Sequence, residues 1–112
     1  MDAASIYSMT LAQLDQTELA MTSPEGDALI QAAPPQDHKN AVEMLLDVHE
    51  ARLALGNASL QAISDQLKAN ETGLVAGTAA VRAALNALNN VAQILNTVTT
   101  LVGLVAQIVP MV

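Results

Sequence analysis

The sequence contains no cysteine, tryptophan or phenylalanine, and Tyr7 is its one aromatic residue. The absence of thiols excludes disulfides, thiolate metal sites and a cysteine nucleophile, and leaves the redox compartment open. With aromatics missing, any core must come from Leu, Val, Ile, Met and Ala. That palette suits helix-on-helix packing better than sheets, whose strands favour aromatic and β-branched residues in alternation. Basic residues are also scarce: four Lys and Arg stand against eleven Asp and Glu, for a net charge of −7. Such a chain has neither the electrostatic footprint of a nucleic-acid binder nor a polybasic cluster for anionic lipid, so no nucleic-acid partner is expected. The opening MDAASIYSMTLAQ lacks the basic and apolar stretches of a cleaved signal peptide. The expectation is a cytoplasmic protein or one exported without such a signal.

What is present is aliphatic and periodic. The 112 residues are 52% hydrophobic, enough for one domain with a modest core. Residues 1–36 read as one or two short helices and a Pro-rich linker. Ala4, Tyr7, Leu11, Leu14 and Met21 follow helical spacing with Glu18 interrupting. Ser23 and Pro24 then form a cap and first position for a second helix, with Glu25 and Asp27 where a helix N-terminus favours negative charge. Pro34 and Pro35 end it.

Residues 37–112 carry a longer pattern. Every seventh residue from Leu46 is aliphatic: Leu46, Leu53, Leu60, Leu67, Leu74, Val81, Leu88, Leu95, Val102 and Val109. The companion heptad positions are polar or small at His49, Gly56, Asn70 and Gly77, then apolar through Val91, Val98 and Val105. This predicts an all-α protein of coiled-coil or bundle type. The long element is either one heptad-patterned helix of roughly 100 Å, at about 1.5 Å per residue, or a long helical hairpin turning near residues 70–77 at Gly73 and Gly77. A second apolar row, Ala41, Met44, Val48, Ala51, Leu55, Ala58 and Ala62, lies on the opposite face of the same stretch, as in a helix covered on two sides.

After Arg82 no charged side chain occurs. Segment 83–112 is nevertheless amphipathic: Asn86, Asn89, Asn90, Gln93, Asn96, Thr97, Thr100 and Gln107 fall opposite the aliphatic seam. Uncharged amides can hydrogen-bond to a partner or a narrow water column without the desolvation cost of ions. Two uses follow. In the first, Leu74, Val81, Leu88, Val91, Leu95, Val98, Val102 and Val105 form the interface of a homo-oligomeric bundle or filament, or bind a partner helical protein, with His49 and Asn70 as polar residues that set register. In the second, residues 83–112 insert into a membrane, the amide stripe lining water in a pore.

Catalytic-type side chains concentrate at Glu43, Asp47, His49 and Glu50, but the recognised metal spacings are absent. Leu53 stands where a zincin helix needs its second His, and Leu46 where a di-iron helix needs a Glu. No catalytic, cofactor or metal site is expected, and no enzyme. In overall composition, poor in Lys, lacking Cys and Trp and rich in Ala, Asn, Gln, Thr and Val, the chain is similar to the axial rod, needle and flagellar subunits that bacteria export and polymerise. The expected function is that of a structural subunit which assembles through its heptad seam.

Overall fold

The computed structural model describes residues 1–109, and among them six α-helices pack around one aliphatic core. They are α1 (Ala3–Thr22), α2 (Pro24–Ala32), α3 (Pro35–Asn57), α4 (Leu60–Ala69), α5 (Glu71–Ala87) and α6 (Val91–Ile108). The all-α expectation holds. The long element is different: residues 37–109 form four helices, and neither a continuous rod nor a hairpin turning at Gly73 and Gly77. The breaks fall at Ala58–Ser59, at Asn70 and at Leu88–Asn90, and both glycines lie inside α5. The last three residues of segment 83–112 lie outside the described residues.

Local chemistry accounts for the boundaries. Asp2 caps α1 by accepting from the Ser5 amide at 2.8 Å, and Ser23 caps α2 by accepting from the Gly26 amide at 3.1 Å, with Pro24 at the first position as expected. The α4–α5 junction is a tight kink at Asn70, whose side-chain amide donates to the Gln66 carbonyl at 2.9 Å. Asn90 caps α6 through the Gln93 amide at 3.0 Å. Just before it, Leu88 adopts φ 46°, ψ 42° and is the only described non-glycine residue with positive φ. That left-handed conformation costs an L-residue about 1–2 kcal/mol.

The helix α1 holds the centre, packing on α2, α3, α4 and α5. Its Ile6, Leu14 and Met21 are fully buried, each contributing about 1.5–3 kcal/mol by leaving water. It runs antiparallel to α3. Near the start of α1 the Tyr7 hydroxyl donates to the Leu55 carbonyl at 2.9 Å, and near its end Glu18 meets His49 and Arg52. The same buried face carries Thr10, Gln13 and Thr17, and Thr78 is buried on α5; the Thr10 and Thr78 hydroxyls find no hydrogen-bond partner.

Two glycines set the approach of neighbouring helices. A Cβ at Gly77 would lie 3.4 Å from Leu101 Cδ1, so α6 lies close against α5 there and the two run antiparallel, with Gly73 opposite Leu104. The glycines expected to turn the chain instead admit a neighbouring helix. Gly26 is tighter still: a Cβ there would stand 2.2 Å from the Ala20 carbonyl oxygen and 2.8 Å from Met21 Cα, because α2 folds back on the end of α1. Backbone cannot yield as a flexible side chain can. Gly26→Ala is therefore expected to destabilise the fold by about 3 kcal/mol or more, read as a lowered urea midpoint with unchanged slope.

The heptad row does not keep one environment. Leu67, Leu74, Val81, Val102 and Val109 are buried and Leu60, Leu88 and Leu95 half-buried, while Leu46 and Leu53 are exposed. In α3 the opposite row is inside instead, with Ala41, Met44, Val48, Ala51 and Leu55 all buried. The break at Ala58–Ser59 changes which row meets the core.

Candidate functional site

The outward face of α3 is the most distinctive surface of the molecule. Val42, Leu46 and Leu53 are four and seven residues apart, which places them on one side of the helix. Their exposures are 53%, 59% and 46%, and they make up half of the six large hydrophobic side chains exposed among the described residues. Their counterparts on the inner row already bind α3 to α1 and α6, so the core does not require them. Carboxylates flank this stripe on the side facing α6. Asp37, Glu43 and Asp47 line a groove of about 490 Å³ whose far wall is Ala92, Leu95, Asn96 and Thr99. Glu50 stands one turn beyond. On the other side a groove of about 510 Å³ runs between α1 and α3, lined by Leu11, Asp15, Arg52 and Leu53 among others.

Between the stripe and α1 a polar cluster joins the two helices. Glu18 Oε1 is 2.9 Å from His49 Nδ1, and Glu18 Oε2 accepts from Arg52 Nε at 2.7 Å. Partial burial disfavours ionisation of Glu18, but hydrogen bonds and charge from His49 and Arg52 outweigh it and hold the carboxyl below its ordinary value. Glu18, an interruption in the sequence pattern of α1, thus sits at the α1–α3 contact.

The expected site residues separate into three groups. Leu74, Val81, Val91, Val98, Val102 and Val105 lie in the chain's own core, and Leu88 and Leu95 are half-buried against it. His49 leaves the seam to meet Glu18, with its side chain 44% exposed, and Asn70 forms the α4–α5 kink. Glu43 and Asp47 face the α6 groove while His49 faces α1, so the helix separates them. Among the described residues no three His, Asp or Glu side chains gather as a metal-holding group. The exposed α3 stripe was not singled out from the sequence as a site, although Leu46 and Leu53 open the heptad row and Val42 accompanies them.

Comparison with protein-family models, with curated proteins and with solved structures finds no match.

The Glu18 cluster has a pH signature. Because its folded-state pKa is depressed, the stability it contributes is fully present above the ordinary glutamate value of 4.5 and is lost as pH falls through the folded value. Glu18→Gln is expected to lower stability by about 1 kcal/mol at pH 7 and to flatten the acid limb below pH 4.5, as measured by urea unfolding across pH.

Proposed function

We propose that the protein is a non-enzymatic assembly subunit that binds partner helices, and that the exposed start of its heptad row, Leu46 and Leu53, together with Val42 beside it, is the docking stripe. The observation that carries this reading is the concentration of exposed aliphatic side chains on one face of one helix, while the remainder of the row is buried or half-buried by the chain itself. Isolated exposed aliphatic side chains need no explanation, but three at helical spacing form a strip that a second amphipathic helix can cover.

Glu43, Asp47 and Glu50 beside the stripe favour a partner helix with Lys or Arg flanking its apolar positions. Two identical stripes placed face to face would instead double the carboxylates at one interface. The test uses a synthetic amphipathic helical peptide with Leu at its seam and Lys on its flanks, followed by amide shifts in a labelled sample of the whole chain. Saturable shifts confined to α3 and the edges of its two grooves are expected, and these should vanish in Leu46→Asp/Leu53→Asp, whose exposed positions leave the fold intact. Shifts indifferent to that double substitution would reject the stripe.

A second reading rests on α6. Val91–Ile108 is an 18-residue helix of mean hydropathy 1.5 without a charged residue. Its length of about 27 Å approaches the hydrocarbon thickness of a bilayer. Its apolar side is turned inward against α3 and α5, so insertion would require that side to leave the core. Under this reading the intact chain releases dye trapped in liposomes, and a disulfide joining Gly77→Cys to Leu101→Cys, which holds α6 on α5, suppresses release until it is reduced. Release at equal rates in oxidised and reduced forms would remove the requirement that α6 separate from α5.

A further inference from the structure

The joint between α5 and α6 contains two features that the hairpin itself does not need. Leu88, Asn89 and Asn90 reverse the chain without a glycine or proline, and Leu88 is held at positive φ to do so, a conformation rare for a bulky side chain. The seven-residue phase also passes straight through the joint, as Leu74, Val81, Leu88, Leu95 and Val102. Two helices packed as a hairpin have no reason to share one register across the turn that separates them. A single helix over residues 71–108 has that reason.

We propose that α5 and α6 straighten at Leu88–Asn90 into one helix and that α6 is exchanged with a second copy of this chain, forming a domain-swapped dimer. A short joint under backbone strain is the setting in which exchange competes with closure. Straightening returns Leu88 to ordinary helical φ and adds helical hydrogen bonds at the joint. Against it stands the Asn90 cap on the Gln93 amide, which exists only while the chain is closed. The core loses nothing on exchange, because Ile94, Val98, Leu101 and Val105 enter the same pockets on the other copy.

Where the two straightened joints pass near one another the side chains are Asn86, Ala87, Asn89 and Asn90, and the nearest charged residue along the chain is Arg82. In space, Asp37 lines a small pocket with Asn89 and Asn90, so each copy brings one carboxylate near the crossing. The packing of α6 on α5 and α3 then becomes contact between chains, without any change in what the α6 side chains touch. This inference concerns a different surface from the α3 stripe and stands or falls apart from it.

The experiment uses the full chain with Gly77→Cys and Leu101→Cys. A Cβ at Gly77 lies 3.9 Å from Leu101 Cβ, a bridging distance, and the chain has no other cysteine. After refolding at low and high protein concentration and oxidation, products are separated without reductant and weighed by light scattering. Exchange predicts internal bonds at low concentration and chain-to-chain bonds in a dimer at high concentration. Asn89→Ala/Asn90→Ala, which removes the cap and favours helix, should raise the dimer fraction roughly tenfold, and three glycines inserted after Leu88 should suppress it. Internal bonds at every concentration and in both joint variants would overturn the proposal. A doubled mass with internal bonds would overturn it as well, by assigning the dimer to another surface. If the cysteine pair disturbs folding, the joint variants with natural cores decide: a mass that follows the joint supports exchange, and one indifferent to it refutes exchange.

Discussion

The burial of α1 is the constraint on which the other helices depend. A core made without Phe or Trp lacks the largest apolar side chains, so it must bring many aliphatic residues together from several helices at close range. By lying on α2, α3, α4 and α5, α1 provides one surface that all four share. The arrangement tolerates a polar strip of Thr10, Gln13 and Thr17 within that surface, partly satisfied by the bond from Thr17 Oγ1 to the Gln13 carbonyl at 2.8 Å.

This centrality explains which parts of the fold were legible in the sequence. The aliphatic palette, the Ser23–Pro24 start of α2, the stop at Pro34 and the inner row of α3 were all readable, because each depends on local chemistry or on spacing within one helix. The role of α1 was not, since its buried face mixes threonine and glutamine with aliphatics and reads as a weak amphipathic strip. Nor was the change of buried face at Ala58–Ser59, where Leu46 and Leu53 part company with Leu67 and Leu74. Spacing by sevens reports that residues share a side of a helix; it is silent on whether a partner helix or another part of the chain covers that side.

Gly73 and Gly77 teach the same point from the opposite direction. A glycine pair among Asn, Glu and Thr has the composition of a turn, yet in the fold the missing Cβ atoms make room for Leu101 and Leu104. The reversal falls instead on a leucine and two asparagines. The candidate surface on α3 was half legible: Leu46 and Leu53 belong to the heptad row, but the distinction of the surface comes from being the portion that the rest of the chain leaves bare. The acidic groove beside it joins α3 to α6, residues far apart in sequence, and only the tertiary fold brings them into one place.

The lone tyrosine has a practical corollary. Its hydroxyl bridges the Leu55 and Gly56 carbonyls at 2.9 and 3.3 Å, across the contact between the first and third helices. With no tryptophan to mask it, near-ultraviolet absorption and emission from the whole molecule arise from that one ring. The protein thus carries an intrinsic optical reporter for a single joint, and loosening there can be followed without attaching a label.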